Sequence, residues 1–250
     1  EGLHDAMNTV DSRYTVLEPM VVDASHYGAP TKRLRVIVIG YDPKFIAPLS
    51  KNDFQINHTQ ITTVKDAIAD IPSPLQINSA KNDLGWKSYR KINNLSNYAR
   101  LMRTVPSLNI GNTEAKEMLL EGLTSGHFKT SHTAPVIERF EKVIPGKTDS
   151  VSRAKRLHWE GLCPTLRAGT GSDHGSHQAV RPIHPSEPRV ITVREAARLQ
   201  GFPDWFCFHP AKWHSFRMIG NSVSPLVSES ILSVIKSNIK KKTNLKAQTV

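Results

Sequence analysis

RVITVREAARLQGFPDWF, residues 189–206, holds a short helix whose two ends are both written in the sequence. Thr192 and Glu195 stand in the T-x-x-E spacing of a capping box, in which the threonine hydroxyl accepts from the amide of residue 195 and the glutamate reaches back to the cap amide. The helix is expected to begin at Val193. Gly201 supplies the left-handed exit and Pro203 blocks continuation. Ala196, Ala197 and Leu199 give one apolar face, while Arg194 and Arg198, four residues apart, share another. Helices of about three turns are marginal in water. This one must be held by packing, and the segment alone does not say what it supports.

The 250 residues suffice for one large domain or two small ones, and 38% hydrophobic content suits a soluble globular chain. Against 22 Asp+Glu stand 33 Lys+Arg, a formal charge of +11 with a pI near 9.7. That balance favours a polyanionic partner, nucleic acid first. A basic surface with no partner competes with this reading; an anionic membrane ranks lower, because the basic tail lacks an apolar run long enough to insert. Cys163 and Cys207 are too few for a disulfide framework or a four-cysteine zinc site, which suits a reducing cytoplasm. His174 and His177 lie in a Gly/Ser-rich stretch without an obvious third ligand, so no metal site is expected. Continuous apolar runs fall short of a membrane span, and the first residues lack the pattern of a signal peptide. The chain begins with Glu1 rather than Met, as a piece of a longer gene product would.

Residues 14–22, YTVLEPMVV, are β-branched and aromatic enough for a strand, with Pro19 marking an edge or a bulge. Val36 to Ile39 form an apolar run expected of a strand covered on both faces and ended by Gly40 and Pro43. Together they suggest the edge of a larger sheet. Thr63 and Asp66 form a second capping box, opening a helix that stops before Pro72. From about 75 to 180 periodicity is weak, although ARLMRTV (99–105) and VIERFEKVIPG (136–146) are candidate short helices. LCPTLRAGTGSDHGSHQAVRPIHP (162–185) mixes glycines, hydroxyls and arginines, which by itself reads as a surface loop. Ser224 and Pro225 suit the cap and first position of a helix with Val227, Ile231, Val234 and Ile235 at helical spacing. Cys207, within DWFCFHP, reads as a buried thiol.

Three segments in order resemble one family, the DNA (cytosine-5) methyltransferases of restriction–modification systems. YGAPTKRLRVIVIG (27–40) is similar to that family's eighth conserved block, RPIHPSEPRVITVREAARLQGFPD (181–204) to the ninth, and IGNSVSPLVSESI (219–231) to the tenth. The implied fold class is α/β: the last strands of a Rossmann-like S-adenosylmethionine-dependent methyltransferase sheet, with a loop-rich, mixed α/β target-recognition domain. Residues 1–48 would then end the catalytic domain, 49–184 form the target-recognition region, and 185–250 supply the ninth-block helix, the tenth block and a return helix.

The implied chemistry is methyl transfer from S-adenosylmethionine to C5 of a cytosine swung out of duplex DNA, after a cysteine thiolate adds to C6. That requires a Pro-Cys nucleophile, a Glu-Asn-Val segment and a glycine-rich cofactor loop, none of which occurs here. Cys163 is followed rather than preceded by proline and comes after the eighth block. The resemblance thus implies a C-terminal portion, inactive alone, that needs an N-terminal catalytic half from the same gene product or a separate subunit.

By the same resemblance Arg33 and Arg35 support the base pocket, Arg35 matching the arginine that steadies the flipped cytosine's carbonyl oxygen. Thr31 replaces the usual glutamine, and Ser224 stands where proline is common. Asn221, Ser222 and Val223 match cofactor-contacting positions. Thr165, Arg167, Gly169 and Gly171 are the DNA-binding candidates, since small residues let backbone approach a groove and arginine reads guanine or holds phosphate. Arg153, Lys155 and Arg156 are expected on phosphates. Arg194 and Glu195 are expected to be structural, in a helix that scaffolds the recognition region. A catalytically inactive DNA-binding or targeting module is the alternative.

Overall fold

The computed structural model describes residues 14–56, 61–76, 82–106, 109–168 and 181–240. Strands β1 (Thr15–Val16) and β2 (Met20–Asp23) are separated around Pro19, where the sequence places a break. A single 3₁₀ turn, Ala24–Tyr27, follows and leaves through Gly28 at φ 85°, a left-handed conformation suited to glycine. Next come β3 (Leu34–Ile37) and β4 (Gly40–Tyr41). β2 pairs antiparallel with β3, setting Val22 opposite Arg35, and β1 pairs with β4. The apolar run expected to be covered on both faces alternates instead, and Val36 is 65% exposed, as are its neighbours Val21 (67%) and Leu34 (55%).

After a 3₁₀ turn at Lys51–Phe54, helix α1 (Val64–Ile68) starts at the Thr63–Asp66 capping box and ends before Pro72. β5 (Lys87–Ser88), α2 (Asn97–Met102), α3 (Thr113–Leu120), β6 (Leu123–Thr124) and α4 (Ala134–Glu141) follow, β5 pairing with β6. α3 was not legible in the weakly periodic stretch. The α/β content expected from the sequence is present, and the described strands form three separate two-stranded antiparallel ladders.

α5 (Val193–Gln200) is capped by Thr192 and leaves through Gly201 at φ 92°. All eight of its residues are buried, so the single apolar face expected from the sequence understates how the helix is enclosed. Val64, Ile68, Leu157, Ile191, Leu199, Phe216 and Ile219 share one core with it. α1 therefore packs against α5 across well over 100 residues of chain.

α6 (Lys212–Asn221) was not foreseen, and α7 (Pro225–Ser237) begins as expected at Pro225. Ser224, expected to cap α7 with its side chain, makes no such bond. Lys212–Ser237 taken as one helix would be long and apolar enough to cross a membrane. Ser222 is extended (φ −70°, ψ 155°), however, and divides the run into helices of 10 and 13 residues, each shorter than the ~20 a bilayer requires. Val227 of α7 packs with Val22, Ala24, Tyr27 and Ala29, while Ile231, Val234 and Ile235 lie against the cluster of Ile39, Tyr41, Leu49 and Phe54.

Candidate functional site

Three segments remote in sequence meet at Arg33. Asp23 accepts from the amides of Ser25 and Arg33, both at 3.1 Å, which fixes the turn feeding β3. Beside that turn, the Lys32 amide donates to the Cys163 carbonyl and the Cys163 amide to the Pro30 carbonyl, each at 2.9 Å. Thr31, standing where glutamine is usual, donates its hydroxyl to the same Cys163 carbonyl at 3.2 Å. This pairing lays residues 163–166 along the strand entry.

Arg33 is 1% exposed. Its Nη1 donates to the Leu166 carbonyl at 2.9 Å, and its Nη2 to the carbonyls of Gly220 and Ser222, both at 2.7 Å. Its Nε has no partner among the described residues. Burial, reinforced by the charge of Arg35, brings its pKa down to about 10, so the guanidinium remains charged at neutral pH. Arg35 is half-buried, and its Nη1 donates to the carbonyl of adjacent Leu34 at 2.6 Å. The two arginines thus differ: one faces the interior and ties backbone, the other lies at the margin.

Thr165 is exposed and donates to the Lys32 carbonyl at 2.8 Å; Arg167 is exposed two residues on. Gly169 and Gly171, like His174 and His177, lie outside the described residues. The backbone leading to them rests on α6. A Cβ on Gly220 would stand 2.4 Å from the Ala168 amide nitrogen and 2.5 Å from the Arg167 carbonyl carbon, a contact only glycine permits. One turn earlier on the helix, the Arg181 guanidinium lies 3.9 Å from the centre of the Phe216 ring. Arg153 and Lys155 are exposed as phosphate-binding residues would need to be. Arg156 is not. It is buried and donates to the carbonyls of Phe140, Glu141, Val143 and Pro185, which corrects its expected place on a phosphate.

Asn221 and Val223 are exposed on either side of Ser222, whose hydroxyl donates to the Ile219 carbonyl at 2.8 Å. Behind this loop Gln200 Oε1 and Ser224 Oγ are buried with no partner among the described residues. The exposed amide of Asn221 offers both donor and acceptor, and Val223 an apolar surface. These residues fit one side of a site for a ligand that is part polar and part apolar, as S-adenosylmethionine is.

Helix α5 anchors this assembly. Arg194 donates to the Ser125 carbonyl (2.8 Å), the Ser125 hydroxyl (3.0 Å) and the Phe206 carbonyl (2.9 Å). Arg198 forms a two-pronged pair with Asp204, both contacts 2.6 Å, and reaches Asp70 and the Ala67 carbonyl of α1. Burial opposes the charge of Arg198, but Asp204 and Asp70 outweigh it and raise its pKa. For Glu195, burial would raise the pKa, yet the hydrogen bonds and charge of Arg189 bring it down to about 2. Arg194 and Glu195 are structural, as expected.

Cys163 is fully buried and its thiol is pushed up to about 12 by that burial, which leaves it protonated and unreactive. Cys207, expected to be buried, is only half so, with the Ser125 hydroxyl 3.4 Å from its sulfur. Among the described residues no group of His, Cys, Asp or Glu is arranged to hold a metal ion. The sequence marks α6, the support of residues 167–168, only faintly. Its signal was present: a glycine inside an otherwise helical pattern points to a close packing partner.

The family model for C-5 cytosine-specific DNA methylases matches residues 3–237. The chain belongs to that family. The type II methyltransferase M.XorII of Xanthomonas oryzae pv. oryzae is 40% identical over 228 residues, covering 91% of this chain and 52% of the relative. The type II methyltransferase M.Bpa9945I of Bacillus paralicheniformis is 29% identical, covering 88% and 50%. This methylase chain therefore spans about half the length of these curated relatives. A prophage-encoded E. coli protein, described as a DNA modification methyltransferase, superposes with a TM-score of 0.80 at 41% identity, covering 94% of this chain and 63% of that one. The S. pombe Dnmt2 methyltransferase shares the fold at 11% identity, with a TM-score of 0.52.

Proposed function

We propose that this chain is the DNA-reading, C-terminal part of an enzyme that methylates cytosine C5 at a specific duplex sequence, supplying part of the cofactor and base pockets. The observation that carries this reading is the meeting at Arg33 of the Arg35 strand, the Thr165–Arg167 segment and the Asn221–Val223 loop. Residues 1–48 would close the catalytic domain, 49–184 form the recognition region, and 185–250 bind the two together. The exposed Val21, Leu34 and Val36 give the strand pair an apolar face for the remaining catalytic half, in the same gene product or as a separate subunit, to cover.

S-adenosylmethionine, when bound, supplies the methyl group. Toward it the chain offers the Asn221 side chain and the Val223 surface. Toward DNA, Thr165 and Arg167 stand exposed, and the net charge of +11 draws the duplex in. Arg35, with its planar guanidinium fork, steadies the carbonyl oxygen of the extruded cytosine. Arg33 ties down the entry to Arg35's strand. The nucleophilic thiol comes from the other half, since Cys163 is sealed in the core and neither cysteine here follows a proline. A restriction–modification setting in the cytoplasm follows. The relatives named above, all described as methyltransferases, lend nothing to an inactive targeting module.

The test joins this chain to its complementary half and incubates both with duplex DNA and S-adenosylmethionine. Bisulfite sequencing should reveal 5-methylcytosine at one short sequence; its absence rejects the assignment. Arg35→Ala should lower kcat on DNA at least about 100-fold, as expected of a lost transition-state contact, while thermal stability stays close to wild type.

A further inference from the structure

Resting on that reading of the site, we propose that Arg33 and Gly220 form a joint coupling the DNA-reading segment to the cofactor loop, so that each ligand tightens the binding of the other. Arg33 is here a positioning residue, acting through the backbone carbonyls it holds. Its guanidinium is one rigid plane: one amino group holds the Leu166 carbonyl, directly before Arg167, and the other holds the carbonyls that flank Asn221. A displacement of Leu166 turns the plane and is felt at Ser222. Charge-assisted bonds in a buried setting resist being broken singly.

The second connection is steric. The backbone at 167–168 touches Gly220 with no side chain between, so a movement of either element toward the other is resisted directly. Arg181, where the described chain resumes after residue 168, stacks on Phe216 of the same helix one turn away. α6 thus meets the chain at residues 167–168 and again at Arg181, and ends directly in Asn221–Val223. Two sites that bias one shared element are coupled, and the coupling is reciprocal.

In the full-length protein, the Kd for S-adenosylhomocysteine is measured by calorimetry with and without a duplex carrying the sequence that bisulfite sequencing identifies. The wild type should bind about tenfold more tightly with that duplex. Arg33→Lys keeps the charge but loses the planar fork, and should reduce the ratio to about twofold or less, as should Gly220→Ala. A wild-type ratio of one, or variants with the full ratio, overturns the joint. A merely structural arginine would lower the melting temperature and both affinities while sparing their ratio. Should the variants fail to fold, hydrogen exchange on the wild type decides: S-adenosylhomocysteine alone should slow exchange at residues 165–168, and unchanged exchange rejects the coupling. A wild type that binds neither ligand refutes the site reading itself, and the joint falls with it.

Discussion

Helix α5 and the β2–β3 strand pair obey opposite rules of burial. α5 has every residue enclosed, three of them charged, and each charge meets a partner supplied by this chain. The strand pair carries good β-forming residues, yet Val21, Leu34 and Val36 face outward. One region is finished within the described residues, whereas the other leaves an apolar face open among them, which on the proposed reading the remaining half covers. The difference teaches where stability resides and where an assembly partner would act.

The largest way to break the contrast is at Asp204. Asp204→Ala leaves Arg198 and Arg194 without their shared carboxylate and should cost about 3–5 kcal/mol in urea unfolding. A loss under about 1 kcal/mol would mean that α5 is not the keystone of the fold.

Acid should attack the same region. The His127 imidazole is fully buried, neither ring nitrogen has a hydrogen-bond partner among the described residues, and burial, with help from Arg194, holds its pKa down to about 3. Its folded value lies below the ordinary 6.5, so its contribution is complete above pH 6.5 and is lost as pH falls toward about 3. Glu195 adds a second loss between its ordinary 4.5 and about 2. Denaturant midpoints measured from pH 7 to pH 4 should therefore drop, and His127→Leu should flatten that slope; an unchanged slope assigns it elsewhere.

Thr192→Ala removes the cap of α5 and should cost about 1 kcal/mol by thermal melting, with the fold retained. The smallest effect sharpens the comparison most. Val36→Thr should change the stability of this chain by less than about 0.5 kcal/mol, because the side chain is exposed. In the assembled enzyme the same hydroxyl would be buried, and the cost should rise to about 1–3 kcal/mol. Equal costs in both settings would show that the face stays uncovered.

Local chemistry was the legible part of the sequence. The capping boxes at Thr63 and Thr192, the exit at Gly201 and the start of α7 at Pro225 each depend on neighbours within a few residues. The partners of buried charges were hidden, because Arg198 finds Asp70 and Arg156 finds the carbonyls at 140–143 only when the chain folds back. The exposure of Val36 was equally hidden, since an apolar strand reads alike whether its cover lies within the chain or elsewhere. Ordered motifs pointed to Arg33, Arg35 and Asn221–Val223, but whether an arginine faces inward or outward is set by tertiary contacts.

The fork of Arg33 also constrains the order of events at the ribosome. Its acceptors lie 133, 187 and 189 residues downstream. At synthesis rates of about 5–20 residues per second, roughly 10–40 s pass before the last of them emerges. Until then the eighth-block strand waits with a cation destined for the interior and nothing to receive it. A chain truncated before Gly220 should therefore be retained by chaperones, its first strands made early but settled last.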